Sequence, residues 1–186
     1  MFRILFFVAF IAVFSHAFDM DSSNNIDIKN LPNFYKVIKN GDYKAFRQYI
    51  SKFVDINGKT DGGNTALMVA SANGQLQMVK DLVGLGAKVD AQNDMGASPL
   101  SFASSLGYKE IVEFLIDSGA DVNILNEDNY TPLMFAVSGN YIEIVKILLD
   151  MDADINIINK YGYSALDIAK QNGNPQIIKL LLDSSN

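Results

Sequence analysis

The sequence predicts an all-α protein, a solenoid of about five stacked helix-turn-helix repeats, each with a hairpin loop. A short tetrad recurs every 33 residues, as Thr65-Ala66-Leu67-Met68, Ser98-Pro99-Leu100-Ser101, Thr131-Pro132-Leu133-Met134 and Ser164-Ala165-Leu166-Asp167. An alanine recurs with it, as Ala70, Ala103, Ala136 and Ala169. So does a turn former, as Gly74, Gly107, Asn140 and Gly173. A strict period of this length indicates one supersecondary unit stacked several times.

The tetrad predicts the start of the first helix of each repeat. In the second copy, Ser98 occupies an N-cap position and Pro99 the first helical position, where its missing N–H costs nothing. The helix should reach about Leu106, and Gly107 should end it in the left-handed conformation.

The second helix of that copy is predicted over residues 108–116, since Ile111, Val112, Leu115 and Ile116 have the spacing of one apolar helical face. Gly119 then ends the helix, and an extended hairpin-like loop leads to the next tetrad. The other copies repeat this face, with Met78, Val79, Leu82 and Val83, then Ile144, Val145, Leu148 and Leu149, then Ile177, Ile178, Leu181 and Leu182.

The period and the tetrad together resemble the T-P-L-H-x-A motif of ankyrin repeats. The resemblance covers residues 28–186 and divides them into repeats at 61–93, 94–126, 127–159 and 160–186. Residues 28–60 lack the tetrad, but Gly41 keeps the register of Gly74 and Asn57 that of Asp90. We therefore expect a degenerate first repeat that caps the stack.

The usual histidine of the motif is replaced by Met68, Ser101, Met134 or Asp167. In ankyrin repeats that histidine hydrogen-bonds between neighbouring loops. We therefore expect a weaker cross-repeat network and a softer array, although Thr65 and Thr131 keep their hydroxyls and the apolar helices still stack.

Residues 1–17 are predicted to be a secretory signal peptide. Arg3 precedes an apolar run from Ile4 to Phe14, and Ser15 and Ala17 are small residues at the processing site. The run is about a dozen residues, too short to span a membrane, which needs roughly 20. We expect cleavage after Ala17, a flexible polar leader over residues 18–27, and a periplasmic or secreted protein without a membrane span.

Charge and composition limit the partners. Cleavage removes one of 15 basic residues and none of the 21 acidic ones, which leaves a net charge of −7. Nucleic acid and anionic membranes both demand clustered Lys and Arg, so neither is expected to bind. The chain has no cysteine, so it must be stabilised by packing without disulfides. We also expect a monomer.

The sequence offers no catalytic, cofactor or metal site. Its one histidine, His16, lies in the predicted signal peptide, which excludes Ser-His-Asp and Cys-His catalysis and His- or Cys-ligated zinc. Residues 150–156 mimic a calcium loop, but Ile155 and Tyr161 stand where Gly and Glu are required. Residues 84–88 resemble the start of a phosphate loop but follow a helix, and both segments read better as repeat turns.

Asn129 begins an acceptor sequence for N-glycosylation, Asn129-Tyr130-Thr131. In the repeat register, however, it matches Gly63, Gly96 and Gly162. The register therefore predicts a positive φ at this position, which Asn tolerates better than most residues.

The resemblance implies a concave groove, lined by loop tips and first helices, that binds proteins. The apolar positions that it assigns to partner binding are Met95, Leu106, Leu125, Tyr130, Ile158, Tyr161 and Tyr163. The polar ones are Lys59, Asp61, Asn64, Gln92, Asp94, Glu127, Asp128 and Lys160. An alternative is that Tyr130 and Tyr163 pack on each other between neighbouring repeats.

Three functions remain open at this stage. The first is an exported, non-catalytic protein-binding module, and the second a structural or inhibitory partner of an enzyme in the same compartment. The third, an enzyme or small-ligand binder, is disfavoured by the absence of His and Cys from the mature chain.

Overall fold

A computed structural model describes residues 31–50 and 55–184, and this part of the chain folds into ten helices arranged as five antiparallel pairs. The first helices of the pairs are α1 (Leu31–Lys39), α3 (Ala66–Ala72), α5 (Pro99–Leu106), α7 (Pro132–Ser138) and α9 (Ala165–Asn172). The second helices are α2 (Tyr43–Ile50), α4 (Leu76–Gly84), α6 (Lys109–Asp117), α8 (Ile142–Asp150) and α10 (Pro175–Asp183). The predicted all-α solenoid is confirmed.

The tetrads begin helices α3, α5, α7 and α9 as predicted. The side chains of Thr65, Ser98, Thr131 and Ser164 each accept a hydrogen bond from the backbone N–H three residues on, at 3.1–3.3 Å. Such caps satisfy an otherwise unpaired N–H group, which is why the same residue types recur.

Left-handed residues end the helices at the predicted positions. Gly107 closes α5 with φ 80°, and Asn140 follows α7 with φ 59°. Asp152, after α8, also has φ 59° and shares its register with Gly86 and Gly119. The calcium-like segment is therefore a repeat turn.

The first helices form one continuous layer, and the second helices cover one side of it. Ala70, Ala103, Ala136 and Ala169 are completely buried, so the first helices approach closely. In α6, Ile111, Val112 and Leu115 are buried while Ile116 is half-buried, which confirms the predicted apolar face. One core runs from Phe34 to Leu181.

The first pair, α1 and α2, replaces the tetrad with aromatic packing. The rings of Phe34 and Phe46 stack with centroids 5.8 Å apart, and the hydroxyl of the buried Tyr35 donates to the carbonyl of Gly58 at 2.6 Å. Asp81 on α4 accepts from the hydroxyl of Tyr43 at 2.8 Å. The bond to Asp81 joins the first pair to the second, while the other two contacts stabilise the first repeat itself.

The predicted signal peptide (1–17) and leader (18–27) lie outside the described residues, as does part of the predicted first repeat (28–60). None of the ten helices is long and apolar enough to cross a membrane.

Candidate protein-binding loop tips

Neighbouring loops are joined directly by their backbones. The N–H groups of Asp94, Glu127 and Lys160 donate to the carbonyls of Gly62, Met95 and Asp128, at 3.3, 3.0 and 3.0 Å. Each of these bonds crosses from one repeat to the next. The loops therefore form a continuous edge beside the first helices.

One asparagine holds each of three loops in shape. The side-chain oxygens of Asn93, Asn126 and Asn159 each accept two backbone N–H groups of their own loop, at 2.7–3.0 Å. All three asparagines are buried. The sequence analysis missed them, although their spacing of 33 residues was a signal that could have identified them.

A second polar row links the repeats in place of the missing histidines. Side-chain oxygens of Asn57, Asp90 and Asn123 accept the backbone N–H groups of Lys88, Asp121 and Asp154, at 2.7–3.0 Å. Asn and Asp side chains at this other register position therefore join neighbouring repeats, and the sequence did not lead us to expect these bonds.

The residues that stand in place of the histidine make hydrogen bonds within their own repeat. The backbone N–H of Thr65 donates to the sulfur of Met68 at 3.4 Å, and that of Ser164 donates to the carboxylate of Asp167 at 2.9 Å. Hydrogen bonds from the Ser164 hydroxyl and backbone hold the pKa of Asp167 below its usual value. These contacts close the helix caps.

Loop positions 59, 92, 125 and 158 are equivalent in the repeat register, and their side chains change from polar to apolar along the stack. Lys59 donates from its ammonium to the carbonyl of Gln92 at 2.8 Å, and Gln92 donates from its amide to the carbonyl of Leu125 at 2.7 Å. The next two members, Leu125 and Ile158, are apolar and cannot make such a bond. The polar side chains of Lys59 and Gln92 thus hydrogen-bond to neighbouring loops, whereas the apolar side chains of Leu125 and Ile158 are exposed to solvent.

Three exposed apolar residues mark the C-terminal half of the loops. Leu125 is 39%, Ile158 57% and Tyr161 55% exposed. We call these three residues the C-terminal tip surface. Each was predicted to contact a partner, and the structure places each on the surface.

Tyr130 was predicted at an exposed loop tip, and that placement is wrong, because only 9% of it is exposed. Its ring stacks on Phe135 of α7 with centroids 5.4 Å apart and meets the edge of Tyr161 at 6.4 Å. Burial, followed by Tyr161 and the Asp128 carboxylate, raises the pKa of Tyr130 to about 12. Tyr130 does pack between repeats, but its ring partner in the next repeat is Tyr161, whereas the alternative had named Tyr163.

The remaining residues predicted to contact a partner differ in how exposed they are. Asn64 is buried, and its side-chain oxygen accepts from the amide of Asn93 at 2.9 Å, so its predicted surface placement is wrong. Met95, Leu106 and Tyr163 are half-buried, and Leu106 covers a small buried cluster that includes Phe102. Asp128 is also half-buried, and the remaining polar positions are exposed, namely Lys59, Asp61, Gln92, Asp94, Glu127 and Lys160.

Other predicted and excluded motifs have structural roles. Asn129 has φ 60°, beside 75°, 72° and 80° at Gly63, Gly96 and Gly162, which confirms the predicted register. Thr131 of the glycosylation sequence is buried and caps α7. Across residues 31–50 and 55–184, no group of His, Cys, Asp or Glu is arranged to hold a metal ion.

A family model described as ankyrin repeats (3 copies) matches residues 34–126 and 119–186, which together cover the stack from α1 to its end. No curated protein was found to match the chain.

Proposed function

The chain belongs to the ankyrin-repeat family, whose repeats generally mediate protein–protein interaction, and we propose that it is an exported, non-catalytic module that binds a protein partner through its loop tips and groove. Families of this kind are typically interaction modules without an active site. The proposal assigns the contact to the C-terminal half of the stack.

The observation that carries the proposal is the C-terminal tip surface. Leu125, Ile158 and Tyr161 expose large apolar side chains on loops that are fixed by backbone hydrogen bonds to their neighbours. Aromatic and large apolar residues supply most of the binding energy of interfaces, and a rigid scaffold lowers the entropy lost on binding. A partner should therefore bind here more readily than at the polar N-terminal loops.

Export is the second part of the proposal. It is supported by the short apolar run after Arg3 and by the small residues Ser15 and Ala17. The partner would then be a protein of the periplasm or the extracellular medium.

The test is affinity capture from the native compartment with three baits. They are the wild-type chain, the double variant Ile158→Ala/Tyr161→Ala, and the control Leu85→Ala, which removes an equally exposed apolar residue (49%) in the turn after α4. We expect the double variant to lose the partner and the control to keep it, with all three baits showing the same thermal unfolding. A partner that binds the double variant normally would contradict the proposal.

A further inference from the structure

We propose that the C-terminal tip surface receives a basic segment of the partner, in which an apolar side chain is flanked by lysine or arginine. This inference rests on the proposed function and adds the chemistry of the partner. It combines the apolar anchor of residues 158–161 with the acidic groups of the neighbouring loop, residues 121–129. Lys160 is exposed between Ile158 and Tyr161, but the three carboxylates of Asp121, Glu127 and Asp128 outnumber its single ammonium.

The anchor point is held in place before any partner arrives. The Tyr161 and Tyr130 rings lie edge to face with centroids 6.4 Å apart, and Tyr130 stacks on Phe135 of helix α7. The three aromatic rings thus run from the inner helix to the loop tip. A side chain supported in this way loses little freedom when a partner packs against it.

The acidic groups lie on the loop between α6 and α7. Asp121, Glu127 and Asp128 fall within residues 121–129 with Leu125 among them, and this segment contains no Lys or Arg. Asp94, on the preceding loop, is exposed as well.

No basic group of the described chain neutralises these carboxylates through an ion pair. The ion pairs of residues 31–50 and 55–184 are Arg47–Asp81, Lys109–Glu113 and Lys146–Glu143, and all of them lie on helices. The carboxylates around Leu125 therefore favour a positively charged partner, since complementary charge speeds association and excludes wrong partners.

Two other occupants are disfavoured by the same charge. A second copy of the cleaved chain would bring an identical acidic loop and a net charge of −7. The predicted leader, residues 18–27, contains Asp19, Asp21 and Asp27 and no basic residue. Like charges repel in both cases.

The experiment uses the full chain and two synthetic fluorescent peptides as probes. Both contain the same Leu-Phe-Leu centre, which is flanked by lysines in one peptide and by glutamates in the other. Fluorescence anisotropy measures the dissociation constant of each peptide at low and at moderate salt. The site variants are Tyr161→Ala and the pair Glu127→Gln/Asp128→Asn, and the matched controls are Leu85→Ala and Asp117→Asn.

We expect the lysine peptide to bind at least about tenfold more tightly than the glutamate peptide, and added salt to reduce this difference. Tyr161→Ala should weaken binding of the lysine peptide about tenfold or more, as loss of an aromatic anchor does. The Glu127→Gln/Asp128→Asn pair should weaken it and flatten its salt dependence. Both controls should stay within about twofold of wild type.

Equal binding of the two peptides would overturn the inference, as would a loss in the controls as large as in the site variants. Absence of binding by the lysine peptide would overturn it too. If the captured partner still depended on Ile158 and Tyr161 in that case, the proposed function would stand and only the partner's chemistry would be wrong. If capture were also indifferent to these residues, the proposed function itself would fail.

Discussion

Substitution of Gly96 by alanine should destabilise the stack much more than the same substitution at Gly162. Both glycines occupy the same register position and have similar left-handed φ values, 72° and 80°. They differ in what surrounds them. A Cβ atom at Gly96 would lie 2.7 Å from the backbone nitrogen of Glu127 and 2.9 Å from the Cα of Asn126, whereas one at Gly162 would meet nothing within 4 Å.

The size of each effect follows from these surroundings. Left-handed φ costs a residue with a Cβ about 1–2 kcal/mol, and this cost applies to both variants. At Gly96 the contact with backbone adds about 1–3 kcal/mol, because the loop of the next repeat must move. We therefore expect a loss of about 2–5 kcal/mol for Gly96→Ala and about 1–2 kcal/mol for Gly162→Ala.

Urea unfolding followed by circular dichroism at 222 nm measures both losses. Asn129→Gly, at the same register position, is the control and should change the unfolding free energy by less than about 0.5 kcal/mol, because Asn tolerates left-handed φ. Equal losses for Gly96→Ala and Gly162→Ala would show that the close approach between the loops of residues 94–97 and 126–127 does not constrain the stack.

Three further predictions concern a buried hydroxyl, acid stability and export. Ser104 is completely buried and its hydroxyl has no hydrogen-bond partner within the described part of the chain, so Ser104→Ala should raise the unfolding free energy by about 1 kcal/mol in urea titrations, and a decrease would contradict this reasoning. Ser164 lowers the folded-state pKa of Asp167, so this carboxylate stabilises the fold at neutral pH, and the stabilisation is lost as the pH falls below the ordinary value of 3.8 and through the lower folded-state pKa. Asp167→Asn should therefore make the free energy of unfolding fall less on acidification from pH 6, and unchanged pH dependence would count against the capping contact. The exported protein should have the intact mass of a chain that begins at Phe18, and a membrane fraction that retains residues 1–17 would refute cleavage.

The fold could be predicted from the sequence because the residues that begin and end the helices of a repeat lie within that repeat. Ser98 and Pro99 determine where α5 begins, and Gly107 where it ends, without reference to the rest of the protein. The positive φ at Asn129 followed from its register alone. Such features depend on backbone conformation, which the residue types encode directly.

The details of the loops could not be predicted in the same way, since they depend on contacts between repeats. Tyr130 lies in a loop, but its ring turns onto Phe135 and is then covered by Tyr161 of the following repeat. Asn64 is buried, and the amide of Asn93 on the next loop donates to its side-chain oxygen. Register identifies equivalent positions in the repeats, whereas the direction of each side chain is decided by its neighbours.

The backbone hydrogen bonds between loops have a consequence for how this surface could evolve. They join Asp94 to Gly62, Glu127 to Met95 and Lys160 to Asp128 without using any side chain. Under the proposed function, mutations at Leu125 or Ile158 would therefore change which molecule is recognised while the distance between the two positions is preserved. New specificities can arise one residue at a time, and the stack need not be rebuilt for each of them.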